Sequence, residues 1–231
     1  MLIKGFQGTT LVDYPGKVAS TIFVFGCDFH CPFCYNRTLV LEEYRNTEAI
    51  SEDFVLKNLE ARSGFIEGVC ITGGEPCMSR GLPEFMEKIK DTGLLVKLDI
   101  NGSFPSVLSE LISKDIVDYI AMDIKAPAER YNELAGADVD IRRINESIQL
   151  IKDSKVDYEF RTTVVPLLAE KDIFSIAEWI KGAKRYCLQQ FENKKEMLAP
   201  AMKSLKPYTR EELMKMTEKI RDNFKVCELR S

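Results

Sequence analysis

One short run of this sequence stands out, namely Gly26-Cys27-Asp28-Phe29-His30-Cys31-Pro32-Phe33-Cys34-Tyr35-Asn36. It holds three cysteines in a C-x3-C-x2-C pattern, so a single loop can wrap three thiolates around one metal centre. Three thiolates are fewer than the four ligands of a closed structural zinc site, and an open coordination position is typical of reactive metal sites. We therefore interpret this run, called the cysteine loop (residues 26–36) below, as the holder of a reactive metal centre.

Two other kinds of metal site are compatible with the cysteine loop. Zinc could take the three thiolates together with His30 or a distant cysteine, but His30 directly precedes Cys31, and adjacent residues rarely bind one tetrahedral ion. A cluster that only transfers electrons would normally need a fourth cysteine. Cys70 and Cys77 are candidates, although their spacing is not that of a ferredoxin. An iron–sulfur cluster with one open iron is the favoured interpretation.

Short β-branched runs alternate with amphipathic stretches along the rest of the chain. Strands are predicted at residues 18–25, 68–72, 94–100, 117–123, 158–164 and 185–190. Helices are predicted at residues 51–61, 83–90, 105–112, 141–152, 172–181 and 209–223, followed by a short apolar tail. This alternation predicts an α/β fold of parallel strands with right-handed crossovers, which six such units could arrange as most of a barrel or as an open sheet.

Unusual residues follow the predicted strands one after another. The cysteine loop follows the first strand, Gly73-Gly74-Glu75-Pro76 the second, and Asn101-Gly102 the third, while Asp123-Ile124-Lys125 ends the fourth. The carboxyl ends of parallel strands meet at one edge of a sheet or barrel, which is where such folds bind their ligands. We therefore expect these residues to share one site.

The composition excludes several classes of protein. Apolar residues make up 45% and charged residues 29% of the 231 residues, as in an ordinary globular domain. The formal net charge of −4 and the lack of a dense basic run argue against nucleic acid or a membrane as partner. No apolar stretch has the length of a membrane span or signal peptide, so a cytoplasmic location is expected. We expect a single domain over residues 1–231, with a core at about 18–191 and a C-terminal helix and tail at about 205–231.

The motifs resemble those of a known family. The cysteine pattern, with Phe33 before the third cysteine, resembles the signature of the radical S-adenosylmethionine (SAM) enzymes, and residues 73–76 resemble their second motif. Further agreement with the activating proteins of anaerobic ribonucleoside-triphosphate reductase, relatives of the pyruvate formate-lyase activating enzymes, is found at residues 5–7, 13–17, 97–102, 123–127 and 160–166. The resemblance extends to about Phe191.

The resemblance implies a fold, two cofactors and partners. The fold would be a partial (β/α)6 barrel of the radical SAM type, with one [4Fe–4S] cluster on Cys27, Cys31 and Cys34. No cysteine in residues 36–51 is available for an additional cluster. The enzyme would cleave SAM reductively and generate a glycyl radical on a partner, with anaerobic ribonucleotide reductase as the expected substrate. A small flavodoxin or ferredoxin would donate the electron.

The resemblance also assigns cofactor contacts. They fall on Phe33, Gly73, Gly74, Glu75, Pro76, Asp99, Asn101, Asp123, Lys125 and Arg161. The two glycines would admit the methionyl end of SAM, and Phe33 would lie near the adenine. Asp99 and Asp123 would hold a monovalent cation beside the SAM carboxylate, which Lys125 would also contact. Arg161 would contact SAM or the substrate loop, or else form a structural ion pair.

Two alternatives stay open at this point. The first is a radical SAM enzyme that acts on a small molecule or on another peptide, because the shared motifs do not separate such enzymes from activases. The second is a non-catalytic electron carrier or a zinc-binding protein. That second alternative gives no reason for residues 73–76 and 123–125 to occur together.

Overall fold

Strands and helices alternate along residues 1–230, the part of the chain that the computed structural model describes. The strands are β1 (Ile3–Thr10), β2 (Ala19–Val24), β3 (Gly68–Gly73), β4 (Leu95–Ile100), β5 (Tyr119–Asp123), β6 (Asp157–Val164), β7 (Arg185–Gln190) and β8 (Val226–Arg230). The α-helices are α1 (Arg37–Val40), α2 (Glu52–Glu60), α3 (Leu82–Asp91), α4 (Pro105–Ser113), α5 (Tyr131–Ala135), α6 (Ile141–Asp153), α7 (Glu170–Trp179) and α8 (Arg210–Ile220).

The eight strands form one sheet in the order of the chain, from β1 to β8. The strands β2 to β8 pair in parallel, and β1 pairs with β2 in the antiparallel direction. The sheet is not closed, because β1 and β8 are its two edges. The predicted partial α/β barrel is thereby confirmed, with the six predicted strands as β2 to β7. The edge strands β1 and β8 were not predicted from the sequence.

The helices form where apolar residues recur at helical spacing. In α6, Ile144, Ile148 and Ile151 are buried on one face. Helix α8 begins at a capping box, in which Thr209 accepts from the backbone N–H of Glu212 and the Glu212 carboxylate accepts from that of Thr209. Within residues 1–230, no helix is both long enough and apolar enough to cross a membrane.

The two faces of the sheet differ in character. In β4, Val96, Leu98 and Ile100 belong to the hydrophobic core. Because side chains alternate along a strand, Lys97 and Asp99 lie on the opposite face. Lys97 is buried there, with 1% of its surface exposed. The fold thus places charged side chains on the inner face of the partial barrel.

The segment at residues 13–17 covers the amino ends of the strands. Tyr14 is buried, and its ring lies 5.8 Å from that of Tyr119 at the start of β5. Asp13 accepts a 2.6 Å hydrogen bond from the Thr21 hydroxyl, and Lys17 pairs with Glu67 at 2.8 Å. This conspicuous segment therefore packs at the end of the sheet opposite to the predicted site.

Candidate active site

A cavity of about 190 Å³ lies at the carboxyl ends of the parallel strands. Most of the predicted site residues line it, namely Cys27, Cys31, Phe33, Cys34, Gly73, Gly74, Asp99, Asn101, Asp123, Lys125 and Arg161. Glu75 and Pro76 are not among its lining residues and are buried beside it. Residues far apart in the sequence thus meet at one edge of the sheet, as the order of the motifs predicts.

The three thiols of the cysteine loop face this cavity. Burial raises the pKa of Cys31 to about 11, and it also raises the pKa values of Cys27 and Cys34. The thiols are therefore protonated near neutral pH, and a metal centre that binds their thiolates would release protons. His30 is exposed and does not line the cavity.

The donor set fits an iron–sulfur cluster. In residues 1–230, no three His, Cys, Asp or Glu side chains converge closely enough to be ligands of one metal ion. A [4Fe–4S] cluster makes a different demand, because each thiolate binds a different iron. Three thiols along one wall of a cavity meet that demand and leave one iron for another ligand.

Contacts from several elements position the cysteine loop. The backbone N–H of Gly26 donates to the Leu39 carbonyl at 2.8 Å, and that of His30 donates to Ala135 at 2.8 Å. Asn36 Nδ2 donates to the Gly73 carbonyl at 2.9 Å. Hydrogen bonds to α1, to α5 and to the end of β3 therefore anchor the loop.

Backbone packing explains the two glycines after β3. Gly73 has a φ of +120°, and a Cβ at Gly74 would lie 2.0 Å from the carbonyl oxygen of Gly26. That same oxygen accepts a 2.7 Å hydrogen bond from the backbone N–H of Glu75. The family resemblance implies that these glycines admit a cofactor. The structure gives an additional reason, because the turn after β3 packs directly on the cysteine loop.

Glu75 holds the backbone around the cavity. Its side chain is 1% exposed, and its two oxygens accept from the backbone N–H groups of Cys77 at 2.9 Å and Asn101 at 2.6 Å. Burial raises its pKa to about 7, although the two N–H donors act in the opposite direction. Glu75 therefore joins the turn after β3 to the end of β4.

A network of charges crosses the floor of the cavity. Arg161 donates through Nε to Asp123 at 2.8 Å and through Nη1 to Asp99 at 3.1 Å. Lys125 pairs with the other oxygen of Asp123 at 3.1 Å, and Lys97 pairs with the other oxygen of Asp99. Arg161 was expected either to contact SAM or the substrate loop or to form a structural ion pair, and the structure shows it bridging two carboxylates at the cavity.

The network fixes the charge states of its members. Burial alone would raise the pKa of Asp123, but the positive charges of Arg161 and Lys125 outweigh burial and hold that pKa well below its usual range. Burial is likewise outweighed at Asp99, whose pKa is lowered by Arg161 and Lys97. Both carboxylates are therefore ionised, and the cavity offers fixed charges to a ligand.

Three polar contributors to the site were not predicted from the sequence. Lys97 was not singled out, although it precedes Asp99 by two residues in a strand and so lies on the same face. Asp28, inside the cysteine loop, accepts from Asn101 Nδ2 at 2.7 Å. Asn36 is the third, because its side-chain amide anchors the cysteine loop to the Gly73 carbonyl. Strand alternation could have identified Lys97, whereas nothing in the sequence pairs Asp28 with Asn101.

Comparisons with known proteins show the family of this chain. Residues 21–180 match the model of the radical SAM superfamily. A protein of Methanocaldococcus jannaschii that carries the provisional name glycyl-radical enzyme activating enzyme is 34% identical over 199 residues, which cover 84% of this chain and 81% of that protein. A second protein of the same organism and the same provisional name is 26% identical and covers 70% of this chain, while 62% of its own length is matched.

A solved structure shares the fold. The crystal structure of Streptococcus suis SuiB bound to S-adenosylmethionine superposes with a TM-score of 0.68 at 15% sequence identity. The match covers 89% of this chain and 48% of that chain, so the present chain spans about half the length of SuiB. Radical SAM enzymes use a [4Fe–4S] cluster and SAM, which are the two cofactors that the sequence predicts. The match to the superfamily extends over more than half of the sequence, and the chain belongs to the radical SAM superfamily.

Proposed function

We propose that this protein is an activase that cleaves SAM reductively and generates a glycyl radical on a partner enzyme. The observation that carries the proposal is the 34% identity, over 84% of the chain, to a relative whose provisional name is glycyl-radical enzyme activating enzyme. The cavity supports it, because the three cysteines and the charged network surround the same space.

Each part of the site has a task in this proposal. Cys27, Cys31 and Cys34 would hold the [4Fe–4S] cluster, which supplies the electron for SAM cleavage when it is bound. The ammonium of Lys125 and the guanidinium of Arg161 line the cavity and can bind the carboxylate of SAM. The turn at residues 73–76 would orient the methionyl end of SAM, and Phe33 would pack near the adenine.

We also propose a specific partner enzyme and an electron donor. Anaerobic ribonucleoside-triphosphate reductase is the substrate that the resemblance favours, with a small flavodoxin or ferredoxin as the electron donor. Residues 97–102, 123–127 and 160–166 support this choice, since they resemble the activating proteins of that reductase and lie at or beside the cavity. The radical would form at a glycine Cα that must lie against the cofactor with water excluded.

The test uses the protein with its cluster reconstituted under anaerobic conditions. Reduced protein, SAM and the reductase should give methionine, 5′-deoxyadenosine and a glycyl radical detected by electron paramagnetic resonance. A Cys31→Ala variant and a reductase lacking its radical glycine serve as controls and should give no radical. If SAM is cleaved but no radical forms on the reductase, the partner is wrong, and an enzyme acting on a small molecule or another peptide takes the place of the activase.

A further inference from the structure

Every carboxylate oxygen in the floor of the cavity is paired with a positive charge of the chain itself. Asp99 offers one oxygen to Lys97 and the other to Arg161, and Asp123 offers one oxygen to Arg161 and the other to Lys125. A metal cation held by the two aspartates would either share these oxygens with the cations of the chain, against their mutual repulsion, or displace one of those cations. Displacing the Arg161 guanidinium would leave a largely buried charge without its partners, which is strongly unfavourable.

The charges of this network also suit an anionic ligand. Three cations face two carboxylates, which leaves one net positive charge in the network. Arg161 uses Nε and Nη1 for the aspartates, and its Nη2 makes no hydrogen bond within residues 1–230. Since Arg161 and Lys125 line the cavity, the unused donors and the net charge are available to one carboxylate.

We propose that Arg161 is a built-in cation, which takes the place of a monovalent metal cation between Asp99 and Asp123 and lets this protein bind the carboxylate of SAM without added sodium or potassium. The proposal rests on the proposed function, because it concerns the same SAM site. It replaces the expectation from the family resemblance that the two aspartates hold a monovalent cation.

The first measurement compares SAM affinity in two salts. Protein with a reconstituted cluster is titrated with SAM in potassium chloride and in tetramethylammonium chloride of equal ionic strength, and binding is followed by calorimetry. The tetramethylammonium ion is too large for a site between two carboxylates. The expected dissociation constants agree within about twofold. Tighter binding in potassium by about tenfold or more would overturn the proposal.

The second measurement removes the built-in cation. In tetramethylammonium, Arg161→Gln should bind SAM about 10- to 150-fold more weakly than the wild type, because a charged contact is lost. Potassium should restore most of that affinity, since the aspartates then have room for a metal cation. A merely structural role for Arg161 would give no rescue by potassium, and the absence of rescue would contradict the proposal.

A matched control separates this effect from a general loss of arginine. Arg185 begins β7 at the amino ends of the strands and pairs with Glu228 at 3.2 Å. Arg185→Gln should bind SAM like the wild type in both salts. If Arg161→Gln does not fold, as judged by its circular dichroism and melting temperature, the two-salt comparison on the wild type decides. Failure of the wild type to bind SAM in either salt would instead overturn the proposed function, and this inference with it.

Discussion

The backbone N–H of Asn101 donates a 2.6 Å hydrogen bond to Oε2 of Glu75. The other oxygen of Glu75 accepts from the backbone N–H of Cys77 at 2.9 Å. One buried carboxylate therefore ties the turn after β3 to the end of β4, and both segments border the cavity. Glu75 therefore organises the wall of the site from behind.

A Glu75→Gln variant tests this assignment. The amide keeps one oxygen as an acceptor but presents an NH2 group to the second backbone N–H, which leaves a buried donor unpaired. The expected cost is about 1–3 kcal/mol in the free energy of unfolding, measured by urea denaturation. Glu146→Gln on the exposed face of α6 is the control and should stay within about 0.5 kcal/mol of the wild type. Equal stabilities of the two variants would show that Glu75 does not hold the wall.

The cysteines divide into ligands and core residues. Changing Cys27, Cys31 or Cys34 to Ala should each prevent retention of a full cluster, because three thiolates leave no spare ligand. The wild type should hold about four irons and four sulfides per chain after anaerobic reconstitution. Cys187→Ala is the matched control, since Cys187 is buried in β7 and does not line the cavity. Iron analysis that finds the cluster lost in Cys187→Ala and kept in Cys34→Ala would refute the ligand assignment.

Gly74→Ala tests the close packing of the turn on the cysteine loop. The added Cβ would lie 2.0 Å from the carbonyl oxygen of Gly26, so the backbone must shift. Overpacking of this kind typically costs about 1–3 kcal/mol, and the variant should also retain less iron. Gly64→Ala is the control, because a Cβ at Gly64 meets no atom within 4 Å. Wild-type stability and iron content in Gly74→Ala would contradict the observed packing.

Local sequence signals account for most of the fold. The strands β2 to β7 are β-branched or apolar runs between turn residues, and the sequence alone predicts all six of them. Strand β1 was not predicted because its apolar alternation is interrupted by Lys4, Gly5, Gln7 and Gly8. It forms because β2 offers it an antiparallel partner. Such pairing between separate segments depends on the folded sheet, which a local pattern does not contain.

The site was predictable where residues follow strands in a fixed order. Parallel strands bring their carboxyl ends together, so the positions of Asp99, Asp123 and the cysteine loop at one edge followed from the order of the motifs. The bridge that Arg161 makes between the two aspartates did not follow from it. Its register, with Asp123 opposite Arg161 across β5 and β6, is set by the pairing of the whole sheet. The partner of Lys97 could not be predicted from the order of the motifs either, because it depends on which face of β4 becomes the interior.

The edge strand β8 carries a second charged contact inside the sheet. Glu159 in β6 is fully buried, and Arg230 in β8 donates to it through Nη1 at 2.8 Å. Arg230 also pairs with Glu228 in its own strand. Because a buried carboxylate is costly without a partner, this contact gives β8 a defined place beside β7.

Replacing Arg230 by Met should therefore destabilise the protein through Glu159. The expected loss is about 3 kcal/mol in the free energy of unfolding, at the low end for a broken buried pair because Arg230 itself reaches solvent. Adding Glu159→Gln removes the unpaired buried charge, so the double variant should recover at least about 1 kcal/mol.

Arg221→Met is the control, since its pair with Glu218 at 3.0 Å is exposed and should contribute less than about 1 kcal/mol. Urea denaturation of the wild type and the three variants checks this prediction. A double variant less stable than Arg230→Met alone would mean that Glu159 is satisfied by groups other than Arg230, and the contact would then not be what places β8.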